Sequence, residues 1–375
     1  MKNVLILKFP YSSQYGGGER HTVLLVEQLQ KLDVHFFLVS SCPVLLAEFS
    51  RRRWPTQKLW LPREPVSKIA LLLFPLWAWL AFFILIGVLV RARFTQGVRT
   101  VYCLSLTEKI LATIPARLLG LRVIWAEHVG FHRWLTKNPL RYFYRLFSKF
   151  ATIVVISQAL QHQLVDLGVA KKNITVIYNG FDFPYFTGLC QPAAGQKPDQ
   201  YVVGTLCRLE KEKGVEVLLL ACQKAIEIIP YLRLIIVGEG GERKRLEWLA
   251  KNLSLDRRVQ FVGFQQEPAL WLRDFDVFVL PSVKRESFGA SLVEALALER
   301  PVVASNLEGI PEIVKQNETG LLVQPGNSEE LAQALIYLYQ HPETARQLAQ
   351  RGRQYVEGQF TVERMISAFF RLFSE

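Results

Sequence analysis

DVFVLPSVKRESFGASLVEALALERPVVAS, residues 276–305, contains a complete strand–helix–strand unit. DVFVLPS (276–282) is a nearly continuous apolar run, as in a strand buried on both faces. SFGASLVEALALE (287–299) is rich in helix formers, and PVVAS (301–305) is a second short apolar run. Two parallel strands need a crossover of about this length, because a tight turn can join only antiparallel neighbours.

The same alternation extends upstream. YVVGTLCRL (201–209), LRLIIVGEG (232–240) and VQFVGF (259–264) are strand-like, with helical stretches at 215–229 and 242–253. The first half repeats the logic through VLILKF (4–9), HFFLVSS (35–41), VRTVYCLS (98–105), LRVIWAEH (121–128) and ATIVVIS (151–157). Strands alternating with helices predict an α/β chain with doubly wound parallel sheets. Between the halves, residues 179–200 are rich in Gly, Pro and Asn and lack periodicity. The expected division is a first domain over 1–185, a linker over 186–200 and a second domain over 201–358. An amphipathic helix over 359–375 is expected to pack back toward the first domain. Two such domains are expected to face each other across a cleft at the carboxyl ends of their strands, where open α/β sheets bind ligands.

Length and composition agree. The 375 residues suit two domains, and 50% hydrophobic with 21% charged residues excludes a disordered chain or a fibre. Cys42, Cys103, Cys190, Cys207 and Cys222 are scattered with no CxxC, which argues against a zinc site or disulfide framework and for a reducing compartment. The net charge of +12 is uneven: residues 1–200 hold 24 Lys and Arg against 10 Asp and Glu, and the remainder hold 21 against 23. The excess predicts an anionic partner for the first half.

Ile69–Val90 is 22 residues without a charge, flanked by Arg51, Arg52, Arg53, Lys58, Arg63 and Lys68 before and Arg91, Arg93 and Arg99 after. Its length suffices to span a bilayer. A single crossing would split the strands of the first domain between two sides, so the expected arrangement is a surface helix or kinked pair, with Pro75 at the kink, lying partly in lipid. The flanking cations would meet anionic head groups. The basic-aromatic stretch 141–150 is a second candidate patch. No nucleic-acid motif accompanies these charges, and nucleic acid is not expected as a partner.

Three constellations could carry chemistry. Gly16 and Gly17 precede a helix, where free amides can meet a phosphate. Arg208 and Lys213 lie just past a strand and could hold a diphosphate. Glu286 and Glu294, eight residues apart, flank the helix start at Ser287, Phe288 and Gly289. That spacing suits the two ends of an extended ligand, with the anion between them at the helix N-terminus.

Taken in order, GTLCRLEKEKG (204–214), IIVGEGGERKRLE (235–247), ESFGASLVEALA (286–297), PVVASNLEGIPEIV (301–314) and NETGLLVQPGN (317–327) resemble glycosyltransferase family 4, retaining enzymes of the GT-B fold. The first half resembles it more loosely. The resemblance implies that Arg208 and Lys213 contact the donor diphosphate, that Glu286 meets the transferred sugar and that Glu294 meets the ribose. It implies a base-binding role for Glu239 and Gly240, a diphosphate contact for Gly16 and Gly17, and a sugar-facing role for His128. The sequence departs at Glu308, where the family usually has a second glycine, so the resemblance leaves that loop's geometry open. A metal reading through Glu127, His128 and His132 is weaker, and neither metal nor cofactor is expected. The implied function is metal-independent, front-face, retaining transfer from a nucleotide sugar, UDP- or GDP-linked, to a glycan or lipid-linked acceptor. The enzyme would be cytoplasmic and peripheral on the membrane. A nucleotide-sugar epimerase and a non-catalytic scaffold are the alternatives.

Overall fold

The computed structural model describes residues 2–9, 17–61, 68–128, 138–189 and 200–374. Gly16, His132 and most of the expected linker lie outside them. The chain forms two compact units, residues 1–178 with 365–375, and residues 179–364.

The first unit is built on seven parallel strands: β1 (Lys2–Lys8), β2 (Val34–Ser40), β3 (Thr56–Lys58), β4 (Thr100–Cys103), β5 (Arg122–Glu127), β6 (Thr152–Val155) and β7 (Ile174–Val176). Their order is β3-β2-β1-β4-β5-β6-β7. Val4 to Leu7 are wholly buried, which is why this strand reads as a continuous apolar run. Right-handed crossovers put α1 (Gly17–Gln30) and α2 (Pro43–Arg51) on one face. The same rule puts α3 (Lys68–Thr95), α4 (Leu106–Leu111), α5 (Thr113–Leu118), α6 (Leu140–Phe147) and α7 (Gln158–Asp166) on the other.

The uncharged run forms one continuous helix, α3, with Pro75 inside it. Its C-terminal end is tied to the amino end of β1: the Asn3 side-chain amide donates to the Gln96 carbonyl at 2.6 Å, and the Arg99 N–H donates to the Asn3 carbonyl. At about 1.5 Å per residue its 28 residues reach about 42 Å. A seven-residue strand reaches about 23 Å. The first half of α3 therefore runs past the carboxyl edge of the sheet. Phe74, Ala81, Leu85, Leu89 and Ala92 form its buried face. Ile69, Leu72, Leu76, Trp79, Leu80 and Phe83 stand exposed on the opposite side, Leu72 at 77%. Both faces are apolar, so the run lacks the alternation of an ordinary surface helix.

The second unit has six parallel strands in the order β10-β9-β8-β11-β12-β13. They are β8 (Tyr201–Leu206), β9 (Leu232–Val237), β10 (Val259–Gly263), β11 (Val277–Leu280), β12 (Val302–Ser305) and β13 (Leu321–Val323). Residues 276–305 fold as their sequence predicts: β11, then α12 (Ala290–Ala297), then β12, with Phe278, Val279 and Leu280 paired in parallel to Val302, Val303 and Ala304. The other helices are α8 (Phe183–Leu189), α9 (Val215–Ala225), α10 (Arg243–Asn252), α11 (Ala269–Leu272), α13 (Ile310–Ile313), α14 (Ser328–Gln340) and α15 (Pro342–Gln359). Residues 183–189, part of the Gly- and Pro-rich stretch, form α8, which packs on α11 and α12. The last helix, α16 (Val362–Ser374), joins the first unit from Met365 onward. There the Phe369 ring meets His21 and Tyr102, and Phe373 meets Phe36 and Tyr102.

Candidate functional site

In the second sheet the strand order reverses between β8 and β11, so the loops leaving these two strands diverge and open a crevice at their carboxyl ends. Arg208 leaves β8 there, and the segment 281–286 leaves β11. A 3-10 turn, Lys211–Lys213, bridges the two. The Val283 N–H donates to the Glu212 carbonyl at 2.9 Å, which fixes this turn against the β11 loop. Gly214 ends the turn at φ +67°, and a Cβ there would lie 2.0 Å from the Pro281 carbonyl oxygen. Only glycine permits that approach.

The approach delivers Lys213 to Glu286. The Lys213 Nζ donates to Glu286 Oε2 at 2.7 Å, and the Ser282 hydroxyl donates to the same oxygen at 2.8 Å. Both charged side chains are largely buried. Glu286 thus sits as a buried carboxylate stabilised by a cation and a hydroxyl. Lys213 and Glu286, which the resemblance assigns to the diphosphate and the sugar, hold one another. Arg208 is different: its side chain is 65% exposed and engages Glu210 at 2.6 Å. A solvated pair of this kind holds weakly and can exchange Glu210 for an anion.

Glu286 precedes the helix, whose cap is Gly289 at φ +76°. Glu294 is the fifth residue of α12, one turn in, so the carboxylates stand on either side of the helix N-terminus. Phe288 is buried between Phe181 and Phe360, at ring-centroid distances of 6.2 and 5.4 Å. Its ring anchors the loop in the core, which leaves its backbone as the part able to meet a ligand. Ser287 is half-buried. Gly309 packs on this loop: its N–H donates to the Glu286 carbonyl at 3.0 Å, and a Cβ there would lie 2.2 Å from the Ser287 carbonyl oxygen. Glu308 beside it has φ +45°, the left-handed region. The residue at the family's glycine position therefore keeps a glycine-like backbone.

The β9 loop is stitched to the β8 loop. The Leu209 N–H donates to the Glu239 carbonyl, and a Cβ on Gly240 would meet the Leu209 carbonyl oxygen at 2.4 Å. The Glu239 side chain pairs with Arg243 at 2.5 Å. Arg208, Glu239 and Gly240 are therefore neighbours across two strand ends.

In the first unit His128 follows β5. Its ring lies 4.5 Å, centroid to centroid, from that of His21 in α1. Neither nitrogen of His21 nor the Nε2 of His128 has a hydrogen-bond partner. Burial lowers the His21 pKa to about 4 and holds His128 well below its ordinary value, where the positive charge of Lys8 and Lys109 adds to the effect. Both are neutral imidazoles near pH 7. Glu127, next to His128, accepts from Lys109 at 2.6 Å and from the Tyr144 hydroxyl at 2.7 Å. Among the described residues no group of three His, Cys, Asp or Glu is arranged to hold a metal. Gly17 opens α1 and faces open space.

Ser282, Gly214, Gly309 and His21 escaped the sequence reading. Ser282 had one usable signal, its place two residues past a strand end; the others need the fold.

The family model for Glycosyl transferases group 1 matches residues 191–355, and that for Glycosyltransferase Family 4 matches residues 15–183. An N-acetyl-alpha-D-glucosaminyl L-malate synthase of Bacillus anthracis is 29% identical over 58% of the chain and 58% of its own length. A lipopolysaccharide core biosynthesis glycosyltransferase of Rhizobium meliloti is 31% identical over 59% and 63%. The chain thus spans about three-fifths of the length of these curated relatives. An uncharacterized glycosyltransferase of Methanocaldococcus jannaschii is 25% identical over 100% of the chain and 99% of that protein. Among solved structures, HepE of Anabaena in complex with UDP superposes with TM-score 0.82 at 21% identity, covering 99% of each chain. Sucrose-phosphate synthase of Thermosynechococcus elongatus gives 0.78 at 21%, covering 100% and 98%.

Proposed function

The chain belongs to the GT-B glycosyltransferases of the family 4 type, and on that premise we propose that it moves a sugar from a nucleotide-sugar donor to a membrane-associated glycan or lipid-linked acceptor with retention of configuration. The observation that carries this reading is the cluster of Lys213, Glu286 and Ser282 at the switch point of the second sheet, beside Arg208 and the N-terminus of α12.

A donor diphosphate brings two or more negative charges. Arg208 and Lys213 supply cations, and the first turn of α12 supplies free amides. When the anion arrives, Lys213 turns part of its charge from Glu286 toward phosphate, and Glu286 becomes an acceptor for sugar hydroxyls. Glu294 takes the ribose hydroxyls, and Glu239 with Gly240 frames the base. As the sugar–phosphate bond breaks, negative charge grows on the diphosphate, and the cations and amides stabilise it most at that moment. Retaining hydrolases use two carboxyl groups about 5 Å apart as acid and nucleophile. Glu286 and Glu294, eight residues apart across the start of α12, are spaced too widely to form such a pair, so neither is given a covalent intermediate. The acceptor hydroxyl attacks from the face the diphosphate leaves, and a phosphate oxygen takes its proton. The cations and amides in place make a metal unnecessary to this scheme. Neutral His128 belongs to the acceptor-side unit as an uncharged hydrogen-bonding group.

HepE was captured with UDP and with UDP-glucose, which supports a uridine donor as the first to test, with GDP-sugars second. The exposed apolar face of α3, with basic residues at both flanks, supports peripheral attachment to an anionic membrane on the acceptor side. Both ends of α3 lead into strands of one sheet, so the helix lies along the surface in this reading. The test is transfer of radiolabelled sugar from UDP- and GDP-sugars into a membrane lipid extract. Turnover that survives EDTA and disappears in Lys213→Ala supports the reading; turnover untouched by Lys213→Ala contradicts it.

A further inference from the structure

Between the segment after β3 and the middle of α3 lies an apolar slot of about 90 Å³, walled by Trp60, Leu61, Trp77, Leu80, Ala81 and Ile84. Leu61 and Ala81 form its buried floor, while Trp60, 75% exposed, and Leu80 stand at its rim. Large apolar side chains gathered at a surface cost free energy in water, on the order of 25 cal/mol per Å² left uncovered, so a rim of this kind points to an occupant.

Its position identifies the occupant. The C-terminal end of α3 is tied to the amino end of β1. Ala81 lies 14 residues before Thr95, about 21 Å up the helix, close to the length of the strands beside it. The slot is therefore level with the carboxyl edge of the first sheet, where open α/β sheets take ligands. Beyond it the exposed row Leu80, Leu76 and Leu72 continues along the overhang. Lys58, exposed at the end of β3, puts a positive charge two residues from Trp60. An apolar slot that opens onto an apolar row, with a cation close by, matches a hydrocarbon chain that ends in an anionic group.

We propose that the slot seats the hydrocarbon adjoining the phosphate of a lipid-linked acceptor, with that phosphate at Lys58. The inference rests on the sugar-transfer reading and adds the acceptor's chemistry: a lipid chain joined through phosphate to the group that receives the sugar. The overhang of α3 lets the chain leave the bilayer along an apolar path and arrive at the carboxyl edge without exposing its length to water.

The test uses the full chain and dodecyl phosphate carrying a mid-chain diazirine, below its micelle concentration, with photolabelled residues mapped by mass spectrometry. The expected label is saturable and concentrated at 60–61 and 77–84. It falls at least five-fold in Leu80→Glu and in Lys58→Glu, and is unchanged in Phe94→Glu, an exposed position on α3 outside the slot. Label spread evenly along α3, or indifferent to Leu80→Glu and Lys58→Glu, overturns the proposal. In parallel, transfer to a membrane lipid extract should show at least a five-fold higher KM for the lipid in Leu80→Glu at unchanged kcat. Transfer that ignores Leu80→Glu removes the slot and leaves the sugar-transfer reading standing. Wild-type protein that transfers from no nucleotide sugar overturns that reading, and the acceptor role with it.

Discussion

Lys213 and Glu286 form the contact on which the proposed chemistry turns. Removing Lys213 would take away the cation proposed for the departing diphosphate and leave Glu286 a buried carboxylate with Ser282 as its partner. Loss of one preorganised charge-stabilising group typically costs about 10²–10³ in kcat. Lys213→Ala should therefore lower kcat at least a hundred-fold, and Lys213→Arg should restore part of it; single-turnover kinetics with a UDP-sugar would show both. Glu308 offers a stability test. A non-glycine residue in the left-handed region is strained by about 1–2 kcal/mol. Glu308→Gly relieves that strain and gives back part as unfolded-chain entropy. For the backbone alone the expected net gain is about 0.5–1 kcal/mol, read as a higher melting temperature. The histidine pair makes stability depend on pH. An unfolded chain protonates both rings as pH falls through the ordinary value near 6.5, whereas the folded chain resists until lower pH, His21 to about 4. Stability is therefore full above pH 6.5 and declines from there toward pH 4, by up to about 1.4 kcal/mol per unit for each ring. Urea titrations at pH 7 and pH 5 should show the drop, and His21→Phe should make it smaller.

At the scale of elements, α3 is a crossover helix of a parallel sheet whose outer face is as apolar as its inner one. Leu72→Glu with Leu76→Glu should abolish flotation with phosphatidylglycerol vesicles while leaving the melting temperature within about 2 °C, because both positions are exposed. Arg91→Glu and Arg93→Glu should weaken binding by about 1 kcal/mol per lost cation, and more at low salt. Much of the fold was legible because strands buried on both faces are written as short apolar runs, and because 276–305 holds a whole crossover. Arg208, Lys213, Glu286 and Glu294 were legible for a related reason: they follow strand ends or a helix start that the pattern itself marks. Other features depended on distance between remote segments. Nothing near Gly214 announces that Pro281 lies against it, and nothing near His21 announces His128. Phe288 sits between a serine and a glycine at a helix start, a context that suits a ligand contact as well as a core anchor; only Phe181 and Phe360 decide between them. The reach of α3 past the sheet required knowing where its C-terminal end is tied.

At the scale of the whole molecule, the excess positive charge belongs to the first half, which also carries α3, while the nearly neutral second half carries the proposed donor cluster. Membrane attachment and donor binding should therefore be separable: vesicle binding should fall steeply with salt while thermal stabilisation by a UDP-sugar changes little. The claim that joins both halves is retention without an enzyme nucleophile, driven by stabilising the leaving diphosphate. The anomeric configuration of the transferred sugar tests it most directly, read from the one-bond carbon–proton coupling at the anomeric centre after transfer from an α-linked UDP-sugar. Retention gives an α-linked product; a β-linked product would contradict the mechanism.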